Sequence, residues 1–302
     1  MNRNILDDQL IVTIIGIGLI GGSIALALKQ NGFAIRVIGV DSNPEHSQQA
    51  LELSLVDEIM DLDDAVKASD MIILAVPVDV GERLIQNVLK LAGKKIVIDT
   101  GSTKTPICEK ANLMDNRGRF VATHPMWGTE FSGPEAAVRS AFIDKAVVIC
   151  NKEQSDDDAL SLTKRMYKSL GMHFLFMDAT AHDLHVAYVS HISHITSFAL
   201  ANTVLEKEKE EDAIFELASG GFESTVRLAK SNAAMWVPIF QQNRENVLDV
   251  LNEHISQLRK FKSCLEKENY DYLLELIVHA NEINKILQPP NEHRKIKQHT
   301  NE

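Results

Sequence analysis

Between Thr123 and Gly133 the chain reads THPMWGTEFSG, which places a histidine, a proline, hydroxyl residues and one carboxylate in a segment too broken by Gly and Pro for a helix interior. Such a segment reads as a site, and taken alone it reads equally as a polar loop after a strand. A second stretch, DTGSTKT from Asp99 to Thr105, exposes the Ser102 hydroxyl beside Lys104, residues that serve chemistry or merely shape a turn. No GxSxG elbow is present, so a hydrolase lacks its defining geometry. His182, His185, His191 and His194 crowd one helical stretch, with His191 and His194 on one face. They have no Glu-x-x-His pair or cysteine cluster beside them, so no metal is expected, and hydrogen-bonded helix histidines or a substrate contact are the remaining readings. In GGFESTVRLAKSNAAMW, from Gly220 to Trp236, Gly220 and Gly221 permit close backbone approach, and Arg227 and Lys230 at helical spacing can direct a cation at an anion. Trp236 is expected in a core.

A fifth cluster has a more specific chemistry. Ile11 to Ile15 is a β-branched run ending in GIGLIGG, and SIALALKQNG after it reads as a helix closed by Gly32. Gly16, Gly18 and Gly21 therefore spell GxGxxG between a strand and a helix, with Leu19 and Ile20 inside the turn. The first glycine allows the tight turn, the second lets backbone approach a pyrophosphate, and the third permits close packing. Helix N–H groups and a partial positive charge then face the phosphates. Asp41 closes the next strand about 20 residues beyond, where a carboxylate accepts from ribose hydroxyls and repels a 2′-phosphate, so NAD is expected over NADP; a helix N-cap is its plainer alternative.

The elements that must position these groups are alternating strands and helices. Strands are expected at Ile35 to Val40, Met71 to Val76, Ile96 to Asp99, Arg119 to Thr123, Ala146 to Cys150 and Met172 to Met177, with helices between several of them. The fold class is α/β, a Rossmann-type, mostly parallel sheet. After Asp178 β-branched runs disappear and the chain reads as helical, beginning with a long, buried central helix from Thr180 to Leu205. Shorter helices are expected at Asp212 to Ala218, Thr225 to Ser231, Met235 to Glu266 and Asn269 to Leu287. The expected division is residues 1–178 as the NAD-binding domain, 179–287 as a helical substrate and dimerisation domain, and 288–302, opened by Pro289 and Pro290, as a mobile tail. So many apolar helical positions suggest completion by a second copy, a homodimer.

Composition sets the bounds. The chain has 302 residues, 45% hydrophobic and 24% charged, enough for two cores. A net charge of −11 argues against a nucleic-acid or acidic-membrane binder, and no apolar run is long enough to span a bilayer. Cys108, Cys150 and Cys264 form no CxxC pair and suit free thiols of a cytoplasmic protein.

Together GIGLIGGS, DTGSTK, HPMWGTEFSG, and SHISH followed by GGFESTVR resemble the prephenate and arogenate dehydrogenase family, tyrosine-pathway enzymes that oxidatively decarboxylate a cyclohexadienol with a nicotinamide cofactor. The resemblance spans Ile11 to Leu287 and is most specific at HPMxGTExSG. It implies a Rossmann-type domain, a dimerising helical domain and an active site in the cleft between them. It also implies His124 as the catalytic histidine, Ser102 as the hydroxyl beside the reacting alcohol, and Arg227 as the group holding a substrate carboxylate, with His194, Thr129 and Gly220 on the substrate side. The form expected is a stand-alone dehydrogenase. Trp127 is bulkier than the pattern leads one to expect, and Glu223 puts an acid near Arg227.

The mechanism this implies has unprotonated His124 accept the proton of the substrate's 4-hydroxyl as hydride leaves the same carbon, followed by loss of the ring carboxylate as CO2. Prephenate and arogenate differ only by a keto or amino group, and both remain open as substrates. A β-hydroxyacid dehydrogenase would use a lysine on the central helix, and Thr180 to Leu205 contains none. A non-catalytic NAD-sensing dimer is the alternative from another class.

Overall fold

The structure, a computed structural model, describes residues 10–211 and 213–287. Its first part alternates β1 (Leu10–Ile15), α1 (Leu19–Gln30), β2 (Ala34–Val40), α2 (Pro44–Glu52), β3 (Glu58–Ile59), α3 (Leu62–Ala68), β4 (Met71–Leu74), α4 (Val78–Ala92), β5 (Ile96–Asp99), α5 (Thr105–Ala111), β6 (Phe120–Pro125), β7 (Ala146–Cys150), α6 (Asp157–Ser169) and β8 (His173–Met177). The strands form one eight-stranded sheet in the order β3-β2-β1-β4-β5-β6-β7-β8. All neighbours are parallel except β6 and β7, so the long loop after β6 turns the chain back on itself. β3 has only two residues and no run of its own to reveal it in the sequence.

Both faces of this sheet are covered, which explains why its strands read as continuous apolar runs. Side chains alternate across the sheet. Ile14, Met71, Ile73, Ile96, Ile98 and Ile149 enter one core with Ile24, Leu28 and Tyr167. Ile15, Ile72, Leu74, Val97 and Val148 enter the other with Ile85, Val88 and Phe120. Cys108 and Cys150 are buried free thiols, and burial pushes the Cys108 thiol up to about 11.

The rest is helical: α7 (Ala179–Val186), α8 (Ile192–Glu208), α9 (Gly220–Val226), α10 (Ala233–Gln242), α11 (Arg244–Glu266) and α12 (Tyr270–Ala280). The expected single helix over Thr180 to Leu205 is interrupted by a π-helical turn, Ala187–His191, a feature that re-aims side chains within a helix. Nor is it buried throughout, because Ser197 is the buried residue of α8 while Leu205 is 52% exposed. The expected helix Met235 to Glu266 breaks at Asn243, where the backbone takes φ −107° and ψ 27° and the side-chain amide donates to Asp183 O (2.7 Å) and His191 Nδ1 (3.1 Å). The stretch expected as a helix at Asp212 to Ala218 forms a 3-10 turn at Phe215–Leu217, Asp212 lying outside the described residues, as does the stretch 288–302.

By compactness the chain divides into units 1–247 and 248–302. The first holds the sheet and the helices through α10. The second holds most of α11, then α12, whose first turn is capped by Asn269 accepting from Tyr272 N–H at 3.2 Å. Among the described residues no helix is long and apolar enough to cross a membrane.

Candidate functional site

The glycine turn lies where β1 meets β4, the point at which strand order reverses and open α/β sheets bind ligands. Gly16 has φ +92°, and a side chain there would strike the backbone of Ala75. Gly21 packs against the Gly16 carbonyl, which leaves no room for a Cβ. Gly18 faces open space and precedes α1, whose first turn has no side-chain cap and no acid. Its N–H groups, those of Leu19 and Ile20 among them, are therefore free for a pyrophosphate, and the donors present fit a dinucleotide. Asp41 accepts from Ile17 N–H and Asn43 N–H, both at 2.9 Å, and so ties the turn to the end of β2 with lone pairs to spare for a ribose. It is not the cap of α2; Asn43 is. Arg36, toward the opposite end of β2, is paired with Glu58.

The same rim carries the second group of residues. β5 and β6 are parallel, with Asp99 opposite Ala122, so Ser102 and His124 both lie at C-terminal strand ends. Ser102 is half-buried and bonded to no described residue. Lys104 beside it is wholly buried, its ammonium on the Asp99 carboxylate and 2.7 Å from Thr123 O. Asp99 also accepts from Thr123 N–H (3.1 Å) and Gly101 N–H (3.0 Å). Thr123 donates its hydroxyl to Asp99 O and accepts from Tyr167 OH at 2.6 Å. This buried network clamps the residue next to His124. His124 Nδ1 is 2.8 Å from His182 Nε2, and His182 Nδ1 is 2.8 Å from Asp183 Oδ1. Burial, followed by the His182 and Lys104 charges, holds His124 well below the usual histidine pKa, so it is an uncharged base at neutral pH.

On the helical side Arg227 Nη1 lies 3.1 Å from Glu130 Oε2. The acid that pairs with Arg227 is therefore Glu130 of the THPMWGTEFSG loop, and the pair brings two motifs together. Arg227 is 52% exposed at its side chain. His194 donates Nδ1–H to Ser190 O (3.1 Å) and stacks on Trp236 with ring centroids 3.5 Å apart. Burial lowers its pKa, with a further contribution from the Arg227 charge. Thr129 accepts from Phe131 N–H at 3.3 Å within its own loop, and Gly220 opens α9 with no atom near the space a Cβ would take. Trp127 has a structural explanation: it leans on Phe142 at 5.6 Å, edge to face, against the core.

The histidines do not converge. His182 faces His124, His191 bonds Asn243, and His194 stacks on Trp236. Burial holds His182 and His194 below the ordinary value of 6.5 and His191 down to about 4. Since these folded values lie below the unfolded one, the stability they contribute is complete above pH 6.5 and is lost as pH falls through the folded values. Asp57, Asp158 and Asp183, also held low, add the same sign at lower pH. Thermal unfolding followed by circular dichroism is expected to show Tm falling steadily from pH 6.5 to about 4; a flat Tm over that window would contradict the burial of these rings.

Lys104, which the sequence leaves open between chemistry and shaping a turn, is a buried counter-ion of Asp99, and neither the Glu130 nor the Asp183 pairing is foreseen from sequence. The available signals were the His-Asp pair at the start of a helix and an apolar strand on either side of a lone lysine.

The family described as prephenate dehydrogenase, nucleotide-binding domain, matches residues 24–176, and prephenate dehydrogenase, dimerization domain, matches 178–279. The Bacillus subtilis prephenate dehydrogenase is 31% identical over 266 residues, 87% of this chain and 72% of that protein. The Aquifex aeolicus prephenate dehydrogenase, solved with hydroxyphenyl propionate and NAD+, superposes with a TM-score of 0.82 at 30% identity, covering 91% of this chain and 99% of that one. The Synechocystis arogenate dehydrogenase gives 0.71 at 25% identity, with the same coverage.

Proposed function

The chain belongs to the prephenate dehydrogenase family, and from that premise we propose that it oxidatively decarboxylates prephenate to 4-hydroxyphenylpyruvate, the tyrosine-pathway step, with NAD as cofactor. The observation that carries this reading is His124, an uncharged base at the end of β6 on the rim that bears the Gly16 to Gly21 turn. Bound NAD supplies the hydride acceptor. His124 takes the proton of the 4-hydroxyl as the C4–H bond gives up its hydride, and Ser102 orients that hydroxyl. Cleavage of the bond to the ring carboxylate releases CO2 and leaves its electron pair to complete the aromatic ring. His124 then returns its proton to the phenol oxygen, so the protons balance. Asp41 holds the ribose, and Gly16, Gly18, Leu19, Ile20 and Gly21 line the pyrophosphate.

Arg227 receives a substrate carboxylate. One of its five N–H donors goes to Glu130, leaving others for the fork geometry a carboxylate favours. Arg227→Ala is therefore expected to raise KM for prephenate by roughly 10- to 100-fold, the worth of a charged hydrogen bond, with kcat changed far less. Steady-state kinetics decide this, and a fall in kcat at constant KM would remove Arg227 from binding. His194, Thr129 and Gly220 complete the substrate side.

The reaction is tested by adding prephenate and NAD and following NADH. Arogenate is the second reading, supported by the likeness to the Synechocystis enzyme, and kcat/KM for the two substrates separates them. The proposed domains are 1–178 and 179–287, the latter pairing with a second copy. The match to a dimerization domain supports that pairing, as do Leu205 on α8 and, separately, Leu274 and Ile277 on α12, all left exposed. Buried, unpaired thiols support a cytoplasmic address.

A further inference from the structure

His124 is anchored through one ring nitrogen, and donor and acceptor chemistry alone gives the direction of that hydrogen bond. The Asp183 carboxylate accepts Lys104 N–H and His182 Nδ1 at Oδ1 and Thr105 N–H at Oδ2, each at 2.8 Å. An ionised carboxylate only accepts, so the proton between it and His182 sits on His182 Nδ1. Neutral His182 then has a bare Nε2. His124 Nδ1, 2.8 Å from that lone pair, must carry the next proton. Neutral His124 is left with a bare Nε2, which no described residue engages. The other tautomer would present an N–H to the substrate hydroxyl and could not take its proton.

We propose that His182 and Asp183 are positioning residues that hold His124 in its Nδ1–H form, and that Asp183 simultaneously fixes the turn bearing Ser102 by accepting the first N–H groups of α5. One buried carboxylate thus sets both the base and the hydroxyl beside it. The arrangement parallels the logic by which an aspartate fixes a histidine tautomer in serine proteases, with a second histidine interposed. Asn243 supports it from behind, donating to Asp183 O. The charged and titratable groups around His124 are Asp99 from β5, Lys104 from the following turn, His182 and Asp183 from α7, and His191 from the π-helical turn. The inference rests on the reading of His124 as the base.

The test combines turnover with nitrogen NMR of the histidine rings in the full chain with NAD. His124 is expected to show a protonated Nδ1 and an unprotonated Nε2. His182→Leu removes the acceptor and is expected to lower kcat by on the order of 10²-fold or more with KM and NAD affinity unchanged, as for a histidine left in the wrong tautomer. His182→Gln keeps an acceptor oxygen at that place and is expected to restore most of the loss. Asp183→Asn sets an NH2 against the Lys104 or Thr105 N–H, which loosens the anchor of His182, and is expected to lower kcat as His182→Leu does. A proton on His124 Nε2 in the wild-type protein, or wild-type kcat in His182→Leu, would overturn the proposal. The tautomer is read whether or not a variant folds, because the wild-type spectrum carries it. No NADH from wild-type protein, prephenate and NAD would remove the reaction, whereas turnover with Nε2–H on His124 would remove only the positioning.

Discussion

His124→Asn is expected to lower kcat for prephenate by roughly 10²- to 10⁴-fold, the usual contribution of a positioned general base, while NAD binds as before. Asparagine keeps a polar group of similar reach toward His182, so the anchoring survives and the proton acceptor is lost. NAD binding is spared because the dinucleotide is assigned to the turn after β1 and to Asp41, groups that His124 does not support. Stopped-flow turnover and NAD titration by fluorescence check the two halves separately. Near-normal turnover would exclude His124 as the base. The pH profile adds a sign: burial and the neighbouring His182 and Lys104 charges hold His124 well below 6.5, so the acid limb of kcat/KM is expected below that value.

Lys104→Met carries the largest expected loss of stability, about 3 to 5 kcal/mol, because it leaves the Asp99 carboxylate buried without its counter-charge. Asp99 keeps its N–H donors from Gly101 and Thr123, but neither neutralises a charge. Adding Asp99→Asn is expected to recover part of the loss, since the amide carries no charge, while its NH2 faces one of the two N–H donors and keeps the recovery incomplete. Urea denaturation of the single and double variants measures both. A single variant within about 1 kcal/mol of wild type, the scale of an ordinary surface ion pair, would show that Lys104 does not compensate a buried charge.

Parts of the fold and site differ in how far one chain segment reveals them. The glycine turn is legible because strand, turn and helix are adjacent, and each glycine answers a local requirement of backbone shape or close approach. The sheet is legible because period-two burial on two covered faces leaves unbroken apolar runs such as Met71 to Leu74. The π-helical turn at Ala187–His191 and the break at Asn243 are not legible, since the periodicity runs through both and the side-chain partners of Asn243, Asp183 and His191, come from a distant part of the chain. Trp127 looks out of place in its motif until Phe142, across the loop, supplies the surface it packs on.

What the chain determined by itself is therefore the set of elements and the residue types at their ends, because turn chemistry and burial period act over a few neighbouring positions. Tertiary structure alone decided which of those ends meet. His124 bonds a residue 58 positions away, Lys104 N–H bonds one 79 away, and Arg227 pairs with one 97 away. A hydrogen bond needs its donor and acceptor within about 3 Å, and no local pattern encodes a separation that the packing of α7 and the glycine-rich loops against one sheet rim must create.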